Sequence, residues 1–577
     1  MTAASELHGK NVLLVNSSNH GFEQAIPLGL LAIGTLLAKC GVSCQILELP
    51  MDDEEYSAAL DSHLGKDLLF IGFSTMCNTL PRTLSLAKVA KQRMPTLPLV
   101  LGGPQATAVW RELLERYDFI DFIVLGEAEL SLDDLMGMLI AGQPRPHASI
   151  VNRQFLPGDP VLPVTPPDRF PEIDQSLYPI ASNDGGVAIE VGRGCPYACR
   201  FCSTQSFFQR RYRLKPPAMI VAEVENAVRL RKIRHIDFVH DMFCANRTAV
   251  ESICRAIVEA GLDIKWGCST RADKLDPDLM AIMADSGCQD LFFGVETASP
   301  RMQDLLGKRL DVSLGMERAR RAVGLGLRVT LSFIIGFPDE TASDLAATVN
   351  AVLDARNWVP QVRSVQVHML APLPGTELTE EHRETIGYDG HFTDLSSVNH
   401  LTEWEKQEII SAKRIFSSFY YFNNPHINRN TYLVIHFLLF YGNRFDEYFS
   451  YFYMLFGDKS GETLLRWCEA TRVRFMRPIN KSRILVEVHE ELLALADHLD
   501  LSGEKRAHLS AAAAYGLWKS HTAQERPGTI FISQFDFLVP TDRRRVEAEQ
   551  RYIYHLDVKS GTVRRLPLPN SVAMAFA

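Results

Sequence analysis

Over the first 140 residues, short apolar runs alternate with amphipathic repeats. Asn11–Val15 (NVLLV), Asp67–Thr75 (DLLFIGFST), Pro98–Leu101 and Phe119–Leu125 (FIDFIVL) are continuous apolar stretches of strand length. Runs of this kind belong to strands buried on both faces. Between them, Leu28–Lys39 and Arg82–Arg93 repeat apolar residues at helical spacing, and Gly102 and Gly126 punctuate strand ends. The alternation predicts a doubly wound parallel sheet over residues 1–140, with a ligand at the carboxyl ends of its strands. Those ends carry the loops Asn16–Gln24, Ser74–Thr79, Gly102–Thr107 (GGPQAT) and Gly126–Glu129 (GEAE). Paired glycines let a large ligand approach the backbone with no Cβ in the way.

From Pro144 to Pro179 there are nine prolines and little periodicity, which predicts an extended linker over residues 141–183 rather than a further domain. A second alternation begins at Val187. Strand-like runs recur at Val187–Val191, Ile236–His240, Lys265–Thr270, Asp290–Thr297, Arg328–Ile335 and Ser364–Met369. Helical patterns separate them at Pro217–Arg231, Thr248–Ala260, Pro277–Ser286, Leu314–Gly324 and Ala342–Arg356. Six strand–helix units over residues 184–380 predict a partial barrel, in which active residues sit at the carboxyl ends of strands. That places His240, Asp241, Ser269, Arg271, Glu296, Thr297, Gly336–Glu340 and His368 around one cavity.

Beyond Glu377 the pattern turns helical and aromatic, so residues 381–577 are expected to be mainly helical. Phe416, Phe419, Tyr420, Tyr432, Phe437, Phe440, Tyr448, Phe449 and Phe452 recur at helical spacing and are expected mostly as core. A minority would line an apolar substrate pocket. Thr529–Leu538, Arg551–Leu556 and Thr562–Leu566, with Lys559-Ser560-Gly561 as a turn, predict a small terminal β meander.

Composition narrows the function classes. At 577 residues, 46% hydrophobic and 22% charged, the chain is an ordinary globular protein of several domains. A net charge of −9 without a basic run argues against a nucleic-acid partner. No secretory signal opens the chain, and Tyr432–Tyr441, its greasiest segment, is far shorter than a spanning helix. A cytoplasmic protein with no membrane partner is therefore expected. In that compartment its 11 cysteines are thiols, metal ligands or catalytic groups rather than disulfides.

The strongest chemical signal is Gly192-Arg193-Gly194-Cys195-Pro196-Tyr197-Ala198-Cys199-Arg200-Phe201-Cys202. Cysteines spaced x3 and x2 after a strand can hold three corners of an iron–sulfur cube, leaving the fourth iron open. A three-cysteine zinc site with a distant histidine remains the alternative on the residues alone. Phe201 before the last cysteine and the glycines before the first favour the cluster. The elements Cys244, Cys254, Cys268 and Cys288 fall on have no ligand spacing, and these four are expected as small buried hydrophobes.

CxxxCxΦC at the end of a first barrel strand resembles the radical SAM superfamily. The GGPQAT and GEAE loops and the Pro27-Leu28-Gly29 helix start resemble the cobalamin-binding domain that precedes many radical SAM domains. Ala371–Thr376 (APLPGT) resembles the strand-six ending of the cobalamin-associated subgroup. The fold class implied is α/β: an N-terminal doubly wound, Rossmann-like cobalamin-binding domain, a partial (β/α)6 TIM-type barrel and a mostly helical C-terminal domain. The broader cobalamin pattern Asp-x-His-x-x-Gly is missing. Its nearest string, Asp61-Ser62-His63-Leu64-Gly65, has the wrong spacing, and His63 is expected at the surface.

The resemblance assigns roles. Cys195, Cys199 and Cys202 would hold a [4Fe–4S] cluster whose open iron takes S-adenosylmethionine (SAM). Phe201 would lie beside the adenine through its backbone, Asp241, Ser269 and Arg271 near the methionine moiety or ribose, and Glu296 as the strand-four polar residue. Ile335, Gly336 and Pro338 belong to the strand-five turn near the adenine. Ser74, Thr75, Gly102, Gly103, Pro104, Gly126 and Glu127 would face cobalamin. Three of these have structural alternatives. Asp241 can cap the helix that starts near Ala245, Glu296-Thr297 can cap the turn before Pro300, and Arg271 can pair with Asp273 or Asp276.

The function implied is methyl transfer from SAM, through methylcobalamin, to an unactivated carbon or phosphorus of a small-molecule or peptide substrate. A radical made from a second SAM would activate the acceptor, and a flavodoxin- or ferredoxin-type donor would supply the electron. Two other readings stay open: cyclisation or oxidation without methyl transfer, and a methylthiotransferase using Cys40, Cys44 and Cys77 for a second cluster. The substrate and the oligomeric state are not legible.

Overall fold

The computed structural model describes residues 7–17, 27–49, 53–63, 67–178, 187–358, 362–390, 401–442, 445–470, 484–524, 530–533, 551–557 and 562–568. The chain forms two compact units: Met1–Phe293 with Asp304–Leu327 and Leu370–Asn423, and Gly294–Gln303 with Arg328–Met369 and Asn424–Ala577.

The first unit opens with a six-stranded sheet. Its strands are β1 (Asn11–Ser17), β2 (Ser43–Leu49), β3 (Leu68–Ser74), β4 (Leu99–Gly102), β5 (Phe122–Val124) and β6 (Ile150–Val151), in the order β2-β1-β3-β4-β5-β6. The first five run parallel and β6 antiparallel. The order reverses between β1 and β3, and such switch points are where doubly wound sheets bind ligands. Apolar side chains from one face of the sheet, Val12, Leu14, Phe70, Val100 and Phe122 among them, join helix residues Leu31 and Leu37 in one core. The expected loop Asn16–Gln24 falls mostly outside the described residues. The Pro-rich linker does more than cross. It supplies edge strand β6 and two single-turn helices, Pro167–Arg169 and Gln175–Leu177, and the Asp174 N–H donates to Thr35 Oγ1 at 3.0 Å.

His63 corrects an expectation: it is buried, with ring nitrogens 2.8 Å from Gln45 Oε1 and from the Ala59 carbonyl. The ring lies just past the helix Asp53–Asp61 and is held by that helix's Ala59 carbonyl and by Gln45 of β2.

The second alternation supplies β7 (Val187–Glu190), β8 (Gly192–Arg193), β9 (Arg213–Leu214), β10 (His235–Val239), β11 (Lys265–Thr270) and β12 (Cys288–Glu296). Within the first unit β7, β10, β11 and β12 lie side by side and parallel. One face is packed: Trp266 stacks on Phe238 at 4.9 Å, meets the edge of Phe243, and donates its indole N–H to the Ser286 carbonyl at 3.0 Å. The other face stays open, with Val239 41% and Phe292 36% exposed, although their chain neighbours Phe238 and Phe293 are buried. By register Ser269 sits opposite Phe292 on that open face. The short antiparallel pair β8–β9 sets Arg193 beside Arg213 and encloses the cysteine-bearing segment between them.

In the second unit β13 (Arg328–Ile335) and β14 (Val362–Met369) pair in parallel. The helix Ala342–Arg356 packs against Asp446–Phe456 and Ser460–Ala470. Arg356 is fully buried and donates to the carbonyls of Gly442, at 3.2 Å, and Leu439. Those carbonyls lie at or just past the π-helical turn Phe437–Tyr441. Tyr432, Phe437, Tyr448, Phe449 and Phe452 are core, as their spacing predicts, while Phe440 is half-buried beside His368 and His436. The terminal strands β15 (Ile530–Ser533), β16 (Arg551–Asp557) and β17 (Thr562–Leu568) form the expected antiparallel meander. Its turn residues lie outside the described residues. Among the described residues no helix is long and apolar enough to cross a membrane.

After β13 the Gly336 N–H donates to Glu340 Oε2 at 3.1 Å, and Asn424 donates to the carbonyls of Phe337 and Glu340, both at 2.8 Å. Burial pushes the Glu340 carboxyl up to about 8, so it stays protonated in the folded state where the unfolded chain would ionise. The folded form then binds more protons between the ordinary carboxylate range and about pH 8, and stability falls as pH rises through that window. Glu340→Gln keeps the acceptor without the ionisation. Denaturant titration from pH 5 to 8.5 should show a declining midpoint in the parent and a flatter one in the variant.

Candidate cofactor site

The cysteines sit on a loop held from several sides. Gly194 has φ +80°, and a Cβ there would run into the Arg211 carbonyl, so only glycine fits. Its N–H donates to Asp241 Oδ2 at 3.0 Å, and Oδ1 of the same carboxylate accepts from Thr204 Oγ1 at 3.0 Å. The Cys199 carbonyl accepts from the Cys202 N–H at 3.1 Å and from Gln205 Nε2 at 3.0 Å. Arg200 donates its N–H to the Leu306 carbonyl, accepts from the Leu378 N–H, and pairs with Glu377, at 2.7 Å, and Glu381.

Cys195, Cys199 and Cys202 are half-buried and in no disulfide. Burial pushes the Cys195 and Cys202 thiols up, a cost that bonding to a cationic metal centre reverses. Among the described residues no three His, Cys, Asp or Glu side chains converge on a single-ion site. A cube differs in taking each thiolate on a separate iron. His240, the strand-end histidine, is occupied: Nε2 donates to the Arg213 carbonyl at 3.2 Å and Nδ1 accepts from the Met242 N–H at 2.8 Å. Burial pulls its ring down to about 4. The donor set therefore suits a cluster with an open iron.

Each polar residue expected near SAM has a definite place. Asp241 is not a helix cap, because Asn246 caps Arg247–Glu259 by accepting from the Ala249 N–H at 3.1 Å. Asp241 instead orients the cysteine loop. Arg271 is committed to the same task. Its Nε and Nη2 pair with Asp273 at 3.0 and 2.9 Å, Nη1 and Nη2 donate to the carbonyls of Lys308 and Arg309 at 2.5 and 3.1 Å, and its plane lies 4.3 Å from Tyr197. The pairing with Asp273 is one of the two ion pairs the sequence offered, and Asp276 instead caps Pro277–Asp285. Ser269 and Phe201 are half-buried.

In the second unit Glu296 ends β12 with φ +68°, a strained setting for a non-glycine residue. Thr297 caps the following turn by accepting from the Ser299 N–H at 3.2 Å. Gly336, with φ +93°, begins the turn that holds Phe337 and Pro338.

The N-terminal loops interlock. Thr75 Oγ1 donates to the Gly102 carbonyl and accepts from the Ala106 N–H, both at 2.8 Å. Gly103 has φ +101°, and a Cβ there would lie 2.7 Å from the Thr75 carbonyl. Ser74 ends β3 and Pro104 opens the helix Pro104–Ala108. The Gly126 N–H donates to Thr107 Oγ1 at 3.0 Å. These loops form a glycine cradle, free of Cβ atoms at residues 102, 103 and 126, against which Thr75 and the linker residues Leu162 and Pro163 pack closely. Thr75 is fully buried and shapes the loop rather than facing outward.

Glu127 is placed differently from the expectation. Its Oε1 lies 2.6 Å from Arg213 Nη2, and its Oε2 lies 3.0 Å from both Arg193 Nη1 and Arg213 Nη1 and accepts from the Thr165 N–H at 3.2 Å. Arg193 also holds Glu129 at 2.6 Å and Glu190 at 2.8 Å, and Lys215 pairs with Glu223 at 2.7 Å alongside. Phe170 of the linker lies 4.9 Å from the Arg193 guanidinium and 5.6 Å from that of Arg213. Sequence reasoning missed this network, since its members are scattered over nearly a hundred residues without a motif.

The remaining cysteines are structural. Cys40 and Cys44 pack on the apolar core, and burial pushes Cys44 to about 12 and Cys77 to about 11. Cys244, Cys254, Cys268 and Cys288 are buried, as expected.

Residues 22–136 match the B12 binding domain family and residues 189–352 the Radical SAM superfamily. An uncharacterized methyltransferase of Pyrococcus horikoshii is 28% identical over 353 residues, 57% of this chain and 75% of that protein. The anaerobic magnesium-protoporphyrin IX monomethyl ester cyclase of Cereibacter sphaeroides is 27% identical over 56% of this chain and 54% of its own length. The hopanoid C-3 methylase of Methylococcus capsulatus is 26% identical over 61% and 67%. In fold, the chain is similar to the radical SAM methyltransferase TsrM of Kitasatospora setae, solved with cobalamin and a [4Fe–4S] cluster. The TM-score is 0.59 at 17% identity, covering 80% of this chain and 99% of that one. The cobalamin-dependent enzyme OxsB, solved with aqua-cobalamin and SAM, gives 0.56 at 14% identity, covering 89% and 84%. The chain joins a cobalamin-binding domain to a radical SAM domain, the domain pair of the cobalamin-dependent radical SAM enzymes.

Proposed function

We propose that this enzyme is a methyltransferase acting on an unactivated carbon, or a phosphorus, of a small-molecule or peptide substrate. The observation that carries the reading is the placement of the glycine cradle and the cysteine loop in one compact unit, joined through the buried Glu127–Arg193–Arg213 network. When bound, the cluster and SAM supply hydrogen-atom abstraction and cobalamin supplies methyl carriage. Cys195, Cys199 and Cys202 would hold the cluster, and Asp241 keeps their loop in place through Gly194. Within the first unit Phe201 would lie along the adenine, with Ser269 as a polar contact. Ser74, Gly102, Gly103, Pro104 and Gly126 would receive cobalamin. Val239 and Phe292 offer an apolar wall that keeps water from the reacting atoms.

Relatives named as methylases support the reading. Similarity to the cyclases of Cereibacter sphaeroides and Rubrivivax gelatinosus favours a second one, ring formation without methyl transfer. A flavodoxin- or ferredoxin-type protein would deliver the electron, and the reduced thiols suit the cytoplasm.

Anaerobic reconstitution with iron, sulfide and hydroxocobalamin, followed by gel filtration, should retain about one cobalamin and about four iron atoms per chain. Absence of cobalamin overturns the methyltransferase reading, and about twice that iron without cobalamin supports the methylthiotransferase. With SAM and a low-potential reductant, the parent should form both S-adenosylhomocysteine and 5′-deoxyadenosine. Formation of 5′-deoxyadenosine alone supports the cyclase reading. Cys199→Ala should lower 5′-deoxyadenosine by about 100-fold or more, and an unchanged yield overturns the cluster assignment.

A further inference from the structure

The two cofactor loops are joined by an ion network that is almost dry. Glu127 follows Gly126 directly, and Arg193 stands two residues before Cys195. The side chain of Glu127 is 1% exposed and those of Arg193 and Arg213 are each 8% exposed. Both carboxylate oxygens of Glu127 are taken, by Arg193, Arg213 and the Thr165 N–H. Its carboxylate is therefore fully committed to partners within the protein. Arg193 in turn spends its fork on Glu127 and Glu129, from the loop after β5, and on Glu190 at the end of β7. Arg213 holds the far side of the hairpin to Glu127 and to the Thr165 carbonyl at 2.6 Å.

A guanidinium is planar and binds in fixed directions, so a fork shared among three carboxylates allows little sliding between the parts it joins. Apolar packing would hold the same surfaces together while tolerating small shifts. We propose that the Glu127–Arg193–Arg213 network sets the distance between the cobalamin cradle and the cluster loop, with Glu127 and Arg193 as positioning residues. The proposal rests on the two-cofactor reading above. It replaces the expected role of Glu127 as a cobalamin contact.

The test uses the reconstituted full chain, reduced so that cob(II)alamin and the cluster are both paramagnetic. Pulsed dipolar or relaxation-enhancement EPR then reads the spin–spin distance distribution. Glu127→Gln and Arg193→Lys keep side-chain length but break the forked pairing. Each should broaden the distribution by about twofold or more, with hydroxocobalamin uptake within about threefold of the parent. Each cofactor's own EPR signal, recorded with the other diamagnetic, should stay as in the parent. An unchanged distribution in both variants overturns the proposal. So does Glu127→Gln losing uptake by about tenfold or more with the remaining distribution intact, which returns Glu127 to the role of a cobalamin contact.

If either variant fails to assemble its cluster, Glu129→Gln, which perturbs only the edge of the network, is read by the same criteria. A parent that binds no cobalamin overturns the methyltransferase reading instead. The network is then read by the distance from the reduced cluster to a nitroxide at Glu115→Cys, exposed on the helix Trp110–Arg116. Broadening in Arg193→Lys is expected there, and no change overturns the proposal.

Discussion

A carboxylate enclosed as completely as that of Glu127 must be met by positive charge and hydrogen bonds, because an unpaired buried ion costs far more than any local packing recovers. That requirement links three parts of the chain: the loop after β5, the β8–β9 hairpin and the Pro-rich linker. Arg193 and Arg213 reach Glu127 only when β8 and β9 pair, and Phe170 covers their planes only when the linker runs beside them. The cysteine loop is enclosed by that same hairpin. The position of the metal-binding segment is thus subordinate to the neutralisation of one acid on the neighbouring domain.

Several polar residues that look like ligands hold loops instead. Asp241 accepts the Gly194 N–H, Arg271 clamps residues 308 and 309 and lies against Tyr197, and Glu340 accepts the Gly336 N–H. A backbone that must bend sharply around cysteines or leave room beside an adenine loses regular hydrogen bonds, and side chains replace them. Under the proposed reading, contact with cofactor would fall to thiolates and to backbone at glycine positions, where no Cβ intervenes. Directional side chains act one layer behind.

The open face of the strands in the first unit follows from register. Along β10, β11 and β12 alternate residues turn toward the helices, where Phe238, Trp266 and Phe293 fill a packed layer. Their neighbours Val239, Ser269 and Phe292 face the other way, and two of them stay exposed despite being apolar. A core would have covered them.

Periodicity, glycine placement and cysteine spacing determined the two alternations of strand and helix, the cysteine triplet and the terminal meander. Each is written in residues close together in the chain, so local rules suffice. The helices Pro217–Arg231 and Ala342–Arg356 even begin and end where the pattern puts them, since proline or a capping threonine marks their starts. Tertiary structure alone decided the burial of His63, the commitment of Arg271 to Asp273 over Asp276, and the pairing of Glu127 with Arg193 and Arg213. In each case a charged or polar side chain had several possible partners along the chain. The choice went to whichever partner folding brought within hydrogen-bond reach in a dry place, where a missing bond is expensive. That information lies in the packing of distant segments and has no local signature.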